Sequence, residues 1–507
     1  MDSPLRLLRD LLPQSQPPAD QVLANKARVL LDTMAGHPAA EVVVRLGSEV
    51  IPAILRQGNL HMRFKLLEDA RQEAEGALPT LEEQVERAAL PLPMEATTAA
   101  LHADNLIKAL AMAYCGIARH LSNSQQSIVL SHLFHRSILR AMSMLARRQQ
   151  LAYRAYATPS AASWQLLHEL YQLACSPNAK PLNGDTAPIE HQYLGALLLA
   201  YLEPNKLPRN ELNTVIECIR QLAAYAVIAE ISAAPGAGRS SESCFVVRPG
   251  EGSPGCPLLR LPAGATLLGG LIIDCSPVLA ALDRNLGRLP GKAVQPDLDA
   301  APALLQTLRV ALGGKSARRF SRTRFRPRAD LVGGIEAVLD FLDGNALTRR
   351  SLDTINREEV HFVPSEWSLI DESPDGFRIR FIKGEKWLVG AGDVVALQPR
   401  ESSKIHLCLV RRIANSAGRL ELGLQLLSPQ VSLIDITARD GSEQRAIFLH
   451  SLPAYGKFSA LIAPPGLVTK DQQITFNSAG RALHRQIGKC IEANEGLEFF
   501  ALDPLPH

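Results

Sequence analysis

The stretch DESPDG, residues 371–376, has residue types and spacing suited to ligand binding. Asp371 offers a carboxylate that accepts hydrogen bonds, and Ser373 offers a hydroxyl that donates one. They are two positions apart at the end of a strand-like run, so their side chains are expected to face the same way. Gly376 lets a ligand approach the backbone closely. The order Ser, Pro, Asp, Gly also favours a tight turn, so a plain hairpin is the alternative.

The densest charge in the chain lies upstream, in the segment KSARRFSRTRFRPRAD. Seven basic residues fall between Lys315 and Arg328, with no acidic residue among them. Pro327 opposes a helix and biases the residue before it towards extended geometry. Four side chains are therefore expected on one side of an extended segment, where they repel each other unless an anion receives them: Arg322, Arg324, Arg326 and Arg328.

Arginine suits two acceptors in particular. Its guanidinium binds phosphate oxygens bidentately, and it pairs with O6 and N7 of guanine. A carboxylate accepts from the N1 and N2 hydrogens of guanine. The arginine segment and the turn together have the chemistry for a ligand that carries phosphates and guanines. On the charge run alone, a solvated basic linker between domains is the favoured interpretation.

These residues resemble the signature of PilZ domains, a family that binds cyclic di-GMP. That signature is RxxxR ahead of the first strand, followed downstream by [DN]xSxxG in a turn of a small β-barrel. The second motif fits at Asp371, Ser373 and Gly376. The first fits in three registers: Arg318 with Arg322, Arg322 with Arg326, or Arg324 with Arg328. The gap between the motifs is longer than in the family, so LDGNALTRRSLDTINREE is expected to be an inserted loop or helix.

The resemblance covers about residues 315–430 and implies a second-messenger receptor that performs no chemistry on its ligand. Arginines 322, 324, 326 and 328 would hold the phosphates and the guanine Hoogsteen edges. Asp371 and Ser373 would contact guanine, and Gly376, which has no side chain, would leave room for the ligand beside the backbone. The arginine segment would become ordered around cyclic di-GMP, and the helical domain would relay the signal to a protein partner that the sequence does not identify.

Two other functions stay open. The first is a PilZ-like scaffold that no longer binds nucleotide. The second is a nucleic-acid-binding adaptor that uses the basic stretch, with an affinity that falls steeply with salt and little preference for guanine. Against the adaptor, only Phe320 and Phe325 lie among the arginines as stacking platforms.

Strand periodicity supports a barrel independently of the motifs. Phe377, Ile379 and Phe381 alternate with Arg378 and Arg380. A second alternation, with Glu421, Gly423 and Gln425 between the leucines, is Leu420, Leu422, Leu424 and Leu426. SLI, LVGAGDVVALQ and KIHLCLVRRI predict further strands, and a closed barrel would remove their exposed edges. In the tail, AIFLHSL, KFSALIA and QQITFN predict a second small barrel or sheet.

From Asp20 to about Glu230 the apolar residues recur at helical spacing. Asp104 and Thr158 are expected helix caps, and Pro159 would then occupy a first helical position. Short breaks between the helices favour packed helical hairpins in an irregular bundle. The run QYLGALLLAYL offers an apolar helix face through which two copies could pair.

The predicted fold is α+β and multidomain: an N-terminal α-helical bundle of helical hairpins, then a PilZ-like antiparallel β-barrel and a further small β region. The boundaries that we expect are 1–233 for the helical domain, 234–314 for a connector with a hairpin and a helix, 315–430 for the barrel and 431–507 for the C-terminal β region. The Gly, Pro and Ser content marks the start of the connector, and PALLQTLRVAL predicts its helix.

Composition excludes several classes of protein. A net charge of +3 over 507 residues gives no global field towards nucleic acid or an anionic membrane, so nucleic acid is not an expected partner. No apolar run approaches the roughly 20 residues that span a bilayer, and the N-terminus lacks the apolar core of a secretory signal. The eight cysteines are scattered without metal-site spacing, which favours reduced thiols in a cytoplasmic protein.

No local catalytic signature occurs in the chain, so we do not expect an enzyme. GGKS at Gly313 imitates a phosphate-binding loop but has Arg309 where that motif needs glycine, and it follows a helical pattern. We expect neither a metal nor a cofactor, and cyclic di-GMP would act as a ligand only.

Overall fold

The computed structural model describes residues 18–122, 128–176, 187–231, 241–262, 269–287, 296–313, 323–324, 327–343, 364–402, 404–416, 418–428, 430–437, 443–451, 458–478, 480–493 and 496–504. The chain forms two compact units. The first comprises Met1–Ala88, Leu92–Pro204 and Asn210–Ser316, and the second comprises Ala89–Pro91, Asn205–Arg209 and Ala317–His507.

The first unit is mainly helical. Its helices are α1 (Pro18–Asp32), α2 (Ala39–Arg45), α3 (Ile51–Leu55), α4 (Leu60–Glu86), α5 (Met94–Ser122), α6 (Ile128–Arg154), α7 (Ala161–Ala174), α8 (Ala187–Tyr201), α9 (Leu212–Leu222), α10 (Ser276–Asn285) and α11 (Pro302–Leu312). Within the described ranges, no helix combines the length and the apolar character needed to cross a membrane.

Helices α4, α5 and α6 form the centre of this unit. On α5, Ala103, Leu106 and Leu110 recur at helical spacing and are at most 1% exposed, which gives the helix one continuous buried face. A polar contact joins all three helices, because Glu68 on α4 accepts hydrogen bonds from Tyr114 Oη (2.7 Å) and from Arg140 Nη2 (2.9 Å). The predicted helical bundle is confirmed.

The expected helix caps were wrong. Asp104 lies inside α5, where Arg148 Nε on α6 donates to its Oδ1 over 2.6 Å. The cap of α7 is Ser160, whose side chain accepts from the backbone N–H of Ser163, so Thr158 precedes the true cap by two residues. An acidic residue at the edge of an apolar run does not show whether the helix continues upstream.

The apolar run on α8 is not an exposed face. Tyr193 and Leu197 are fully buried, and Leu199 is 4% exposed, so these side chains belong to the core of the first unit. The expectation that QYLGALLLAYL offers a pairing surface between two copies was therefore wrong. A helix that is apolar on most of its circumference is typical of a buried core helix.

A small sheet completes the first unit. Its strands are β1 (Val227–Glu230), β2 (Cys244–Val247), β3 (Cys256–Pro257) and β4 (Leu271–Asp274), in the order β1-β4-β2-β3. Residues 227–230 were expected at the end of the helical stretch but form a strand, since Ile228 pairs with Ile273. Periodicity cannot separate strand from helix in so short an apolar run. The helix predicted from PALLQTLRVAL is confirmed as α11.

The second unit contains a closed six-stranded antiparallel barrel. Its elements are β5 (Thr323–Arg324), β6 (Arg328–Gly333), α12 (Ile335–Leu342), β7 (Ser365–Ser373), β8 (Gly376–Lys383), β9 (Val394–Pro399), β10 (His406–Ser416) and β11 (Arg419–Ser428). The six barrel strands run β7-β6-β9-β10-β11-β8, and β8 closes the ring onto β7. The short strand β5 pairs with the last residues of β7, on the edge that β6 occupies nearer the start of β7. The predicted antiparallel barrel is confirmed.

The alternation predicted for β8 holds for its first residues, since Phe377 and Ile379 are 3% and 0% exposed while Arg378 and Arg380 are exposed. Phe381, the third residue expected on the buried face, is only half-buried. On β11, Leu420, Leu422 and Leu424 are buried as expected, but Leu426 is only half-buried. The reason is a bulge, because Leu407 pairs with Ser428 whereas Cys408 pairs with Leu426. The extra residue, Leu427, takes the buried position.

Six further strands form a second, nearly closed barrel. They are β12 (Val431–Thr437), β13 (Glu443–Leu449), β14 (Ala460–Ala463), β15 (Gln473–Ser478), β16 (Arg481–Ala493) and β17 (Glu498–Pro504), in the order β12-β13-β14-β17-β16-β15. The two end strands lie beside each other, since Ser478 Oγ on β15 donates to Ser432 Oγ on β12 over 3.4 Å. The strands predicted from AIFLHSL, KFSALIA and QQITFN are confirmed.

The two barrels share one apolar cluster. Val332 and Leu409 of the first barrel pack in it with Ile447 and Ile462 of the second, and Phe341 of α12 is fully buried among them. Ion pairs also connect the two barrels. Arg445 of β13 pairs with Asp340 (2.7 Å) and Asp343 (3.1 Å), at the end of α12. Arg411 of β10 pairs with Glu492 of β16 (2.7 Å).

Candidate functional site

The segment DESPDG forms a hairpin between β7 and β8, as the turn chemistry predicted. Ser373 pairs with Gly376 across the two-residue loop, and Ser373 Oγ donates to the carbonyl of Gly376 over 3.3 Å. The carbonyl of Asp375 accepts from the N–H of Leu426 on β11 over 2.8 Å, which anchors the loop to the next strand.

Gly376 is required by the barrel itself. Its φ is +150°, and a Cβ at this position would lie 1.9 Å from the carbonyl oxygen of Leu424. No side chain fits there, because the backbone of the neighbouring strand β11 occupies that space. The close packing of two strands thus accounts for this residue, whether or not a ligand also approaches it.

A bulge determines where Asp371 lies. Leu369 pairs with Ile379 but Asp371 pairs with Arg378, so Ile370 is the extra residue. Simple alternation from the buried Trp367 and Leu369 would turn Asp371 into the barrel. The bulge instead sets it beside the exposed Arg378, whose Nε lies 3.0 Å from Asp371 Oδ2.

The short strand β5 brings the arginine segment to the turn motif. Arg324 pairs with Asp371 and Thr323 pairs with Glu372. The two motifs are therefore adjacent in the fold although the chain between them is long. Arg322 and Arg326 lie outside the described residues, as does most of the inserted segment LDGNALTRRSLDTINREE.

Cross-strand pairing continues this arrangement around the outside of the barrel. Arg378 pairs with Gly423 on β11, and Gly423 pairs with Arg412 on β10. Five strands thus contribute one row of paired positions, which we call the arginine row: Arg324, Asp371, Arg378, Gly423 and Arg412. Both Arg378 and Arg412 are exposed. Gly423 lies between them and has no side chain, so the two arginines are separated by a stretch of bare backbone.

Sequence reasoning did not single out Arg378 or Arg412. Arg378 was recognised only as the polar side of an alternating strand, although its position two residues after Gly376 was visible in the sequence. Arg412 could not be found that way, because its alignment with Gly423 depends on the register between β10 and β11.

Arg328 lies in β6, where it pairs with Ser368 and binds the carboxylate of Glu366. Glu366 is 6% exposed and also contacts Arg400 (3.1 Å) and Lys383 (3.7 Å). Arg400 in turn binds Asp330 (2.8 Å). Arg328 thus has a structural partner, while its side chain remains 57% exposed.

The neighbouring cations keep the carboxyl group of Glu366 ionised. Burial acts to raise the pKa of Glu366, but the hydrogen bond from Arg328 and the positive charges of Arg400, Arg328 and Lys383 outweigh it, so the pKa lies below its ordinary value. The carboxylate is ionised at neutral pH and holds the guanidiniums of Arg328 and Arg400 near the start of β7.

The arrangement can bind an anion, because exposed guanidiniums flank the backbone gap at Gly423 and charge-assisted hydrogen bonds are the strong ones. Among the described residues, no group of three or more His, Cys, Asp or Glu side chains is placed to hold a metal ion.

Residues 11–234 match the family model described as the N-terminal domain of the cyclic-di-GMP receptor FimW. The matched segment makes up less than half of the 507 residues and does not include the arginine row. The comparisons with curated proteins and with solved structures gave no match. The helical part of this chain is therefore similar to the N-terminal domain of a cyclic-di-GMP receptor.

Proposed function

We propose that the protein is a receptor for cyclic di-GMP, that its first barrel is a PilZ domain, and that the ligand binds at the arginine row. The observation that carries this proposal is the pairing of Arg324 with Asp371, which joins the two motifs of the ligand signature. The similarity of residues 11–234 to the N-terminal domain of a cyclic-di-GMP receptor supports it independently.

The proposed contacts follow from the chemistry of the ligand, which has two phosphates and two guanines. The arginines hold phosphate oxygens and guanine Hoogsteen edges through their planar forks. Asp371 and Ser373 bind the base. A guanine ring lies flat over Gly423, where Arg378 and Arg412 can stack on its face.

The proposal also specifies which of the four arginines bind the phosphates. Arg328 is held by the buried Glu366, so using it as a main phosphate ligand would require it to share or leave that carboxylate. We assign the main phosphate contacts to Arg322 and Arg326, on either side of Arg324, and a secondary contact to Arg328.

We further propose that ligand binding orders the arginine segment and that the helical unit passes this change to a protein partner. No bond of the ligand is made or broken in this scheme. A cytoplasmic location agrees with eight cysteines of which none forms a disulfide bond.

Calorimetric titration of the full chain with cyclic di-GMP, beside GTP and cyclic di-AMP, tests the proposal. We expect selective binding of cyclic di-GMP, weakened at least tenfold by Arg326→Ala and by Ser373→Ala. Arg481→Ala, at an exposed arginine on β16, is the matched control and should bind as wild type. Absence of heat at high micromolar ligand, or equal binding by the Arg326→Ala and control variants, would refute the site.

A scaffold without nucleotide is the second candidate, and specific contacts favour it. Arg328 and Arg378 already bind buried carboxylates, and Gly376 is explained by the carbonyl of Leu424. In that case these residues stabilise the barrel and have no role in ligand binding. The scaffold predicts that neither wild type nor Ser373→Ala gives heat with cyclic di-GMP. It also predicts that the variant loses at most about 1 kcal/mol of stability, the cost of the one hydrogen bond that Ser373 makes within its own turn.

A further inference from the structure

A cleft in the helical unit lies between α4, α6, α8 and α9. Its volume is about 400 Å³, which is within the range of ligand pockets. Its lining combines apolar side chains, glutamines and charged side chains, and is therefore not a plain hydrophobic gap. Its residues all belong to the first unit and are separate from the arginine row.

Gln149 on α6 is the unusual group in this cleft. It is 2% exposed, and its Nε2 has no hydrogen-bond partner although the residue lines the cavity. A buried donor without an acceptor lowers stability, so such groups are rare in folded proteins. An acceptor that enters the cleft would satisfy it.

The charges at the cleft are paired within the protein. Arg147 donates two hydrogen bonds to Glu82 (2.6 and 3.1 Å), and Arg220 donates two to Glu217 (2.6 and 2.9 Å). Glu75 is held by Arg71. A charged ligand would have to break one of these pairs, whereas a neutral polar ligand would not.

The neutral polar groups that line the cleft are mainly side-chain amides: Gln149, Gln150 and Gln192. A side-chain amide has one acceptor and donor hydrogens, which match the C=O and N–H of a peptide backbone in either orientation. The apolar part of the lining includes Met144, Leu199 and Ile219, which are at most 6% exposed. Methionine adapts its shape to different apolar groups.

We propose that this cleft binds a peptide segment of a partner protein. A backbone carbonyl of the segment accepts from Gln149 Nε2, and one aliphatic side chain enters between Met144, Leu199 and Ile219. This inference deepens the proposed function and rests on it in one respect, since it identifies the surface through which the helical unit contacts its partner.

The test is selection of a displayed random 12-residue peptide library against the full chain. We expect enriched sequences that share one large aliphatic residue and that bind a Gln149→Met variant at least tenfold more weakly. Ser143→Trp, which fills the cleft from α6, should abolish their binding. Gln72→Met, at an exposed glutamine on α4, is the matched control and should bind them as wild type.

Gln149→Met also separates binding from folding. It nearly preserves the side-chain volume and removes a buried amide whose Nε2 lacks a partner, so its melting temperature should equal or exceed that of wild type. A lower melting temperature would show that the amide stabilises the free protein and would contradict a role in binding.

A library that yields no enriched peptide, or peptides that bind wild type and Ser143→Trp equally, would overturn the cleft proposal. Cyclic di-GMP titrations of Gln149→Met and Ser143→Trp should match wild type. The two proposals therefore fail separately: peptide binding without nucleotide binding refutes the receptor, and the reverse result refutes the cleft.

Discussion

Glu366 and Asp393 show how two carboxylates of one barrel acquire opposite pKa shifts. Glu366 is surrounded by Arg328, Arg400 and Lys383, whose charges favour its ionised form. Asp393 accepts one hydrogen bond from the N–H of Gly390, and its burial raises its pKa to about 6. Stability should therefore respond to pH in opposite directions at the two sites.

Glu366→Gln is expected to lower the free energy of unfolding at pH 7 by about 1–3 kcal/mol, because it removes the buried charge that Arg328 and Arg400 bind. The lowered pKa means that the contribution is present above the ordinary value of 4.5 and is lost as pH falls through the folded pKa. The difference between wild type and variant, measured by urea unfolding, should shrink on acidification below pH 4.5. Glu421→Gln, which breaks the more exposed pair with Arg380, is the control and should cost less than about 1 kcal/mol.

Asp393→Asn should show the opposite trend. Since the folded pKa is about 6 against an ordinary value of 3.8, the wild type is favoured at low pH and loses stability as pH rises through about 6. Relative to Asp393→Asn, we expect the wild type to lose about 1–2 kcal/mol between pH 4 and pH 7. Asp435→Asn, at an exposed position of β12, is the control variant. A flat profile for Asp393→Asn would contradict the assigned burial.

At the scale of elements, strand pairing decides which side chains the barrel exposes. The alternation from Phe377 to Arg380 on β8 was predicted from sequence, because these residues follow the simple period of a strand. The bulges at Ile370 and Leu427 could not be predicted, since they depend on the register of neighbouring strands. The bulge at Ile370 places Asp371 beside Arg378. This contact, at the centre of the candidate site, could therefore not be predicted from the alternation of residues in the sequence.

Other features of the fold could not be predicted from the sequence for related reasons. The strand of residues 227–230 is too short for its period to be distinctive, and its identity depends on pairing with β4. The motifs around Arg324 and Asp371 were recognised by their resemblance to a family. Their contact across β5 and β7 is long-range pairing that no local propensity encodes.

Gly376→Ala should destabilise the barrel by about 2–4 kcal/mol, because the added methyl would lie against the carbonyl oxygen of Leu424. Gly418→Ala is the matched control, because that glycine also has positive φ (+72°) but no atom near its missing Cβ. The control should lose only about 1 kcal/mol, the cost of the backbone conformation. Equal losses in chemical denaturation would show that the close approach of β11 is not what requires glycine.

At the scale of the whole molecule, the apolar cluster shared by the barrels has a consequence for cooperativity. Phe341 and Ile462 are fully buried in it, together with side chains from both barrels. A fragment that ends between the barrels would expose this surface to water. We therefore expect both barrels to unfold as one unit.

Ile462→Ala tests this coupling. It removes buried atoms from β14 and should lower stability by about 2–5 kcal/mol. Native-state hydrogen exchange should show loss of protection in β9 and β10 of the first barrel as well as in β13 and β14. Loss of protection confined to residues 431–504 would contradict a single cooperative unit.

The most direct test of the central claim is hydrogen exchange of the full chain with and without saturating cyclic di-GMP. The proposed site predicts slower exchange in peptides that cover Arg324, the turn from Ser373 to Gly376, and Arg412, with unchanged exchange in β16. Protection elsewhere, or none at saturation, would contradict ligand binding at the arginine row.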